Sequence, residues 1–303
     1  MAANLENSSS SFDAFMESAW TAHGERPDDV AAQLADALTL PQDAAQLQRF
    51  ASLATHVYGE HLARWRDGVV LLDRLRTTPA FDGGGDAMRA LDCHVATLRH
   101  AAGDADALDA LARDDRAAAL AAAASALAGR QAFERAIDAY AAACALAAAG
   151  IPKDSPANRA LAVGGNNLAT ALEEKRDRTP RETQAMLDAA QSALVHWRIA
   201  GTWVQEMWAH YRLARSRLCA GDAQGAIDSA VHCIALCDTN HAPPFEFFFG
   251  YAALALARRA AAENAAFEDA RTRALALYES LADDERPLAA ADLAAIESPA
   301  PGT

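Results

Sequence analysis

Residues 207–236 read MWAHYRLARSRLCAGDAQGAIDSAVHCIAL, and the spacing of small and apolar side chains in this stretch decides the fold. Such residues recur at helical spacing on both sides of a Gly221-Asp222 turn: Leu213, Ala214, Ala226, Ala230, Cys233 and Ile234. Apolar residues three or four positions apart share one face of an α-helix. Small side chains at a crossing point let two helices approach closely. The stretch therefore predicts two short helices in close contact.

The composition favours helices along the whole chain. Alanine is abundant, whereas aromatic residues make up only 7% of the 303 residues. Alanine is the best helix former, and strands prefer β-branched and aromatic residues. No segment combines strand alternation with the turn residues of a β-hairpin. We therefore expect an all-α fold.

The net charge of −14 limits the classes of partner. A negative surface repels phosphate backbones and anionic lipid headgroups, so we expect no nucleic acid and no membrane partner. The longest apolar runs, such as residues 117–124, fall short of the roughly 20 residues of a membrane-spanning helix. The first residues lack the pattern of a secretory signal, which favours a cytoplasmic protein. Five cysteines, an odd number within predicted helices, favour reduced thiols over a disulfide scaffold.

Proline and glycine divide the chain into segments of ordinary helix length. The breaks fall near Arg26-Pro27, Leu40-Pro41, 81–85, Gly103-Asp104, Gly129, 150–156, 178–180, Gly201, Gly221-Asp222, 242–244 and Arg286-Pro287. Residues 1–11 and 298–303 carry no apolar period and are predicted to be disordered tails. Residues 12–297 are predicted to form one domain.

Internal repetition links these segments. The pairs Ala123-Ala124, Leu168-Ala169 and Leu213-Ala214 follow one another at intervals of 45 residues. Their second helices also align, through Ala136, Tyr140 and Ala143, then Met186, Ala190 and Ala193, then Ala226, Ala230 and Cys233. Leu53-Ala54 suggests an earlier unit, and residues 87–113 and 246–282 carry fainter ones. A period of 20 to 50 residues is typical of helical solenoids.

The residues of these units resemble tetratricopeptide repeats, in a degenerate form. The resemblance rests on Asn167-Leu168-Ala169 and on the pattern Leu213-Ala214-x6-Gly221-Asp222-x3-Ala226-Ile227. The Asn-Leu-Ala triplet is similar to the longer repeats of the kinesin-light-chain type. The resemblance implies a right-handed α-solenoid of roughly six to seven helical hairpins, closed by a terminal helix near residues 288–296.

The resemblance also implies a binding groove lined by the first helix of each hairpin. Carried over to this chain, the groove positions are Asn166, Asn167, Thr170, Trp208, Tyr211, Arg212 and Arg215, with Glu173 and Leu218 on the same faces. Amides, guanidinium groups and aromatic rings on one face could bind the carboxylate of a peptide. The alternative is that Arg212 and Arg215 pair with acidic neighbours on a solvated surface.

Two further groups of residues could each serve either a binding site or the core. Cys233, Cys237 and His241 follow one another at intervals of four, which could serve zinc, but a buried cysteine is also a small apolar residue. The aromatic residues between Phe245 and Tyr251 could be partner anchors or core. We expect the core interpretation in both cases, and therefore no metal and no cofactor.

No catalytic residues are predicted. Adjacent acidic residues such as Asp114 and Asp115 point about 100° apart on a helix, and the nine histidines are scattered. The sequence thus favours a non-catalytic scaffold or adaptor that binds a protein or peptide, with an acidic or carboxylate end. A regulatory sensor of a small ligand or signalling peptide is the alternative, and an α-helical hydrolase comes third. A homo-oligomer is also compatible with the sequence.

Overall fold

The computed structural model describes residues 2–81 and 83–298, with side chains from Ser11 onward. This part of the chain contains helices, turns and bends but no strand. The helices are α1 (Ala2–Ala22), α2 (Pro27–Asp36), α3 (Ala44–His56), a π-helix (Val57–His61), α4 (Trp65–Leu75), α5 (Gly85–Ala102), α6 (Arg113–Ala128), α7 (Phe133–Ala148), α8 (Ala157–Glu174), α9 (Pro180–Ala200), α10 (Trp203–Cys219), α11 (Ala223–Asn240), α12 (Pro244–Ala260), α13 (Asn264–Glu279) and α14 (Arg286–Glu297). The prediction of an all-α fold is confirmed.

The chain forms two compact units, residues 1–164 and 165–303. In the first unit, α6 packs against α7, and the core gathers around Phe12, Phe50 and Leu72. In the second unit, α10 packs against α11 and α12 against α13, around Phe248 and Ile296. Consecutive helices thus pair as the repeat pattern predicts, while the prediction of one domain over residues 12–297 stays a prediction.

Many helix ends coincide with the breaks predicted from proline and glycine, but the boundaries at residues 62–64 and 261–263 were not predicted and contain neither residue. Helix α9 begins at Pro180, where the Thr179 side chain accepts a hydrogen bond from the backbone of Glu182 and the Glu182 carboxylate accepts one from the backbone of Thr179. The same reciprocal cap joins Thr202 and Gln205 at the start of α10. Such caps satisfy backbone N–H groups that the first turn of a helix leaves without partners.

The small residues lie where the repeat predicts. Ala124, Ala169 and Ala214 are fully buried, and the nine aligned positions of the second helices are all at least 96% buried. Gly250 shows how close the helices come: a Cβ atom there would lie 2.9 Å from Cγ1 of Ile234 on α11. Side-chain volume at these positions therefore limits the helix separation.

Two segments differ from the sequence-based expectation. Residues 104–112, part of the faint unit over 87–113, form turns in place of a second helix, after Gly103 ends α5 with a φ of 94°. Arg99 ion-pairs with Asp104 and Asp106 in this turn segment. The second difference is the π-helix, which interrupts the predicted earlier unit after α3.

The structure describes only part of the two predicted tails. Met1 and residues 299–303 lie outside them, as do the side chains of residues 2–10, whose backbone belongs to α1. Disorder at 1–11 and 298–303 stays a prediction. Within the described ranges, every helix is too short or too polar to cross a membrane.

Enlarging a small crossing residue should destabilise the fold. Ala230→Leu inserts three carbons at a fully buried position of α11. Because the surrounding side chains must leave their preferred rotamers, we expect a loss of about 1–3 kcal/mol in the free energy of unfolding. Urea denaturation followed by circular dichroism measures it. Ala235→Leu, at an exposed position of the same helix, is the matched control and should change little. Equal midpoints for the two variants would contradict the packing described.

Candidate partner-binding face

The predicted groove positions of α10 lie in the second unit. One of them, Arg212, forms an ion pair with Glu173 at the end of α8. Nη1 of Arg212 donates to Oε2 of Glu173 over 2.5 Å, and the hydroxyl of Ser216 donates to Oε1 over 2.6 Å. The Glu173 side chain is only 9% exposed. Burial raises the pKa of its carboxyl, and the charges of Arg212 and Arg215 and the hydrogen bond from Ser216 oppose this rise.

The second guanidinium, that of Arg215, binds a carboxylate from the end of the chain. Its Nη1 and the hydroxyl of Tyr211 both donate to Oδ1 of Asp292 on α14, each over 2.7 Å. Asp292 is 7% exposed and Tyr211 is 8% exposed. Burial raises the pKa of Tyr211, so its hydroxyl remains protonated and available as a donor. Helix α14 thus supplies the acidic partner of two predicted groove residues.

The aromatic residues form one connected cluster next to these ion pairs. The Trp208 ring lies 5.6 Å from that of Tyr211 and 4.8 Å from that of Phe249, measured between centroids. Phe248 and Phe249 are buried, whereas Phe245 is half-buried. Edge-to-face ring pairs at these separations stabilise a packed core. Most of the cluster therefore serves packing, as expected from the sequence.

The predicted groove residues of α8 are half-buried. The hydroxyl of Thr170 donates to the carbonyl of Asn166 over 2.8 Å, within the helix. Oδ1 of Asn166 is buried without a hydrogen-bond partner among the described residues. Asn167 is also half-buried. Whether these three residues bind a partner stays a prediction.

A cavity of about 520 Å³ opens beside Arg215. It is lined by Arg215, Leu218 and Cys219 of α10, by Leu256, Arg259 and Ala260 of α12, and by Ala295 of α14. Arg259 donates to the carbonyls of Ser298 and Ala295 over 2.8 and 3.0 Å, so its guanidinium lies at the end of α14. Two guanidinium groups therefore border a mostly apolar cavity. We call this cavity the α10–α12 cavity.

The first unit contains a second cavity, of about 430 Å³. Its walls come from α3, α5, α6 and the start of α8: Gln48, Asp86, Arg89, Ala90, Cys93, His94, Thr97, Asp115, Ala118, Ala122, Pro156 and Ala160. We call it the α5–α6 cavity. Burial holds the pKa of His94 near 4, and burial raises the pKa of the Cys93 thiol to about 12. Both side chains are therefore neutral at pH 7.

Arg89 closes one side of the α5–α6 cavity. Its Nε donates to Asp115 over 2.8 Å and its Nη2 to Asp114 over 2.7 Å. The two adjacent carboxylates, expected to diverge on the helix, thus share one partner, because the guanidinium fork is wide enough to bridge them.

The cysteines of α11 belong to the core. Cys233 and Cys237 are fully buried and hydrogen-bonded to one another, whereas His241 is exposed at the end of the helix. Among the described residues, these three side chains do not converge on a common point. The structure thus places them as the core interpretation expects.

Sequence reasoning missed Asp292 and Arg259. Asp292 lies 77 residues from Arg215 along the chain, so no local spacing joins them. Arg259 precedes a loop and resembles any basic residue that stabilises a helix C-terminus. A signal was present in Asp292 itself, as the one acidic residue on the predicted terminal helix between residues 288 and 296.

Comparison with known proteins identifies the fold. No protein-family model matches the chain, and no curated protein sequence does either. Solved structures do match. One contains the nearly identical TPR-like repeats of a Podosopora anserina protein described as a kinesin light chain, with a TM-score of 0.50 and 14% sequence identity, covering 78% of this chain and 96% of that one. The fold is therefore a TPR-like helical repeat, which confirms the resemblance at the level of fold.

Removing the carboxylate of α14 should loosen its attachment. Asp292→Ala leaves Tyr211 and Arg215 without their shared acceptor, and a hydrogen bond to a charged group contributes about 1.5–3 kcal/mol. We expect a loss of that size in the free energy of unfolding, measured by urea denaturation. Asp283→Ala, which removes a fully exposed carboxylate, should have almost no effect. A double-mutant cycle with Arg215→Ala should show coupling, and strictly additive losses would contradict the contact.

Proposed function

We propose that the chain is a non-catalytic binding protein that holds a protein or peptide partner on the first-helix face of its second unit. The observation that carries the proposal is the α10–α12 cavity, where Arg215 and Arg259 border an apolar floor. A TPR-like fold supports it, because helical repeats present extended binding surfaces. The predicted contacts of Asn166, Asn167, Thr170, Trp208 and Arg212 belong to the same proposal. Tyr211 is buried, so its part is to hold Asp292 beside Arg215.

The charges favour a partner with a carboxylate. A guanidinium carries five N–H donors, and the structure uses one of those of Arg215 and two of those of Arg259. Arg212 pairs with Glu173 and Arg215 with Asp292, whereas Arg259 donates to the backbone carbonyls of Ser298 and Ala295. The cavity lining thus contains two guanidinium groups and no carboxylate, in a chain of net charge −14. A carboxylate that docks there gains charge-assisted hydrogen bonds.

The apolar floor favours a hydrophobic side chain next to that carboxylate. Leu218 and Leu256 are half-buried, so an aliphatic side chain that covers them would remove apolar surface from water. Each buried methylene contributes about 0.8 kcal/mol. We infer that the preferred segment ends in an aliphatic residue with a free carboxylate.

The internal ion pairs prepare the face for this role. Asp292 holds one nitrogen of Arg215, and Glu173 holds one nitrogen of Arg212. A guanidinium that is already oriented loses less side-chain entropy when a ligand binds. Internal pairing of Arg212 and Arg215 is therefore compatible with the binding of a partner.

A cytoplasmic location is part of the proposal. All five cysteines are free, at positions 93, 144, 219, 233 and 237. Free thiols are typical of reducing compartments. A homo-oligomer is one form that the protein partner could take.

Fluorescence anisotropy with labelled peptides tests the function. The probe is a pool of random hexapeptides ending in leucine, prepared once with a free carboxylate and once with a C-terminal amide. We expect the free-carboxylate pool to bind at least tenfold more tightly, because only it presents an anion to Arg215 and Arg259. Leu256→Glu places a negative charge on the cavity floor and should weaken binding at least tenfold, which corresponds to about 1.4 kcal/mol.

Val231→Glu is the matched control for this experiment. Val231 is 45% exposed on α11, outside the α10–α12 cavity, and its replacement should leave peptide binding unchanged. Equal affinity of the two pools, or equal loss in both variants, would contradict the proposal.

The α5–α6 cavity favours a second candidate function, the sensing of a small ligand. It combines small apolar walls at Ala118 and Ala122 with the hydrogen-bonding groups of Arg89, His94 and Thr97. Apolar walls with a few polar groups are typical of small-molecule sites. Its volume suits a molecule of metabolite size.

A variant that fills the α5–α6 cavity distinguishes small-ligand sensing from peptide binding. Ala122→Phe places a ring in the α5–α6 cavity and should abolish any thermal shift produced by a metabolite collection, while peptide binding stays unchanged. A metabolite that stabilises the variant as strongly as the wild-type protein would exclude this cavity as its site.

A further inference from the structure

Three histidine rings meet in the first unit, away from both cavities. His23 follows α1, His56 ends α3 and His61 ends the π-helix. The ring centroids lie 4.9 Å apart for His23 and His56, 5.0 Å for His23 and His61, and 4.8 Å for His56 and His61. One nitrogen of each ring lies within 4.8 Å of the other two. Within the described part of the chain, these three histidines are the group of potential metal ligands whose donor atoms lie this close together.

The π-helix explains how two of these residues meet. In an α-helix, positions five apart point about 140° away from one another, since each residue turns the chain by about 100°. A π-helix forms hydrogen bonds from residue i to i+5, so one wider turn returns to the same side. The N–H of Leu62 accordingly donates to the carbonyl of Val57 over 3.1 Å. This turn brings Nε2 of His61 within 3.1 Å of Nε2 of His56.

Hydrogen bonds to the outer nitrogens fix which nitrogens face inward. Nδ1 of His56 lies 3.0 Å from Oε1 of Glu60, and Nδ1 of His23 contacts the carbonyl oxygen of Trp20. A carboxylate and a carbonyl only accept hydrogen bonds, so both Nδ1 atoms carry a proton. In the neutral rings, Nε2 of His23 and Nε2 of His56 therefore each carry a lone pair, and that of His56 accepts a hydrogen bond from Nε2 of His61. A histidine that donates its outer N–H to a carboxylate or carbonyl is the usual form of a metal ligand.

We propose that His23, His56 and His61 form a binding site for a divalent transition-metal ion, with Zn²⁺ as the representative ion. Zinc binds imidazole nitrogens at about 2.0–2.1 Å, and tetrahedral ligands at that distance are separated by about 3.3 Å. The 3.1 Å between the nitrogens of His56 and His61 is close to this value. The side chains are half-buried, so rotation of His23 completes the triad and solvent supplies the fourth ligand.

Each step of binding keeps the protons in balance. When the ion binds, the single proton of His61 leaves Nε2 for solvent and solvent returns one to Nδ1, so that Nε2 offers its lone pair to the ion. The site gains two positive charges, which the Glu60 carboxylate behind His56 partly offsets.

Bound metal would join three separate elements. His23 lies beyond α1, whereas His56 and His61 lie on either end of the π-helix, 33 residues or more further along the chain. An ion that binds only the folded arrangement stabilises it by mass action. Imidazole ligands suit zinc, copper and nickel, so the ion is identified by class and not by element.

Isothermal titration with Zn²⁺ tests the site, in a buffer without chelating components and with the full chain. We expect one equivalent per chain and a raised melting temperature. Co²⁺ in place of Zn²⁺ should give the visible absorption of a nitrogen-rich tetrahedral site. His23→Gln and His61→Gln should each weaken binding at least tenfold. Glu60→Gln, which removes the outer carboxylate, should weaken it 10- to 100-fold.

Two matched control variants test whether Zn²⁺ binds to a histidine or cysteine outside the proposed site. His241→Asn removes an exposed histidine from a left-handed backbone position that asparagine tolerates, and it should bind as the wild-type protein does. Cys237→Ser should also leave the affinity unchanged, which excludes the thiols of α11. Circular dichroism confirms that each variant folds. Absence of binding to the wild-type protein, or full binding by folded His61→Gln, would overturn the proposal.

Discussion

The close approach of paired helices is the constraint on which the rest of the structure depends. Ala124, Ala169 and Ala214 recur at intervals of 45 residues and are fully buried, and Gly250 leaves no space for a Cβ atom against α11. Because packed helices can come this close only over small side chains, the chain uses alanine where other folds use larger residues. The larger aromatic side chains of the second unit, such as the buried Phe248 and Phe249, fill the core next to the ion pairs of Arg212 and Arg215.

The ion pairs of Arg212 and Arg215 orient the side chains of the proposed binding face. Glu173 and Asp292 are buried acceptors for Arg212 and Arg215, and a buried ion pair contributes little net stability once its desolvation cost is subtracted. Their larger effect is on geometry, since each fixes the direction of a guanidinium beside an apolar cavity. A partner with a carboxylate would then meet donors that are already in place. This is why the internal pairing supports the proposed binding and does not replace it.

Local signals predicted most of the fold, whereas the candidate site depends on contacts that local signals do not encode. Helix ends follow from proline, glycine and caps such as Thr179, all of which act within a few residues. The groove positions on α8 and α10 came from the family resemblance. Asp292 reaches Tyr211 across 81 residues, and no periodicity records that distance. The π-helix also escaped prediction, because its sequence is compatible with a continuing α-helix and tertiary packing selects the wider turn.

The central claim is that the α10–α12 cavity binds a carboxylate-ended partner. Methyl NMR on protein labelled at leucine and alanine tests it most directly, with the free-carboxylate hexapeptide pool as titrant. The account predicts that the methyl resonances of Leu218 and Leu256 shift and saturate together, while those of Ala118 and Ala122 in the α5–α6 cavity stay in place. Shifts confined to Ala118 and Ala122, or no shift at Leu218 and Leu256 at millimolar peptide, would contradict it.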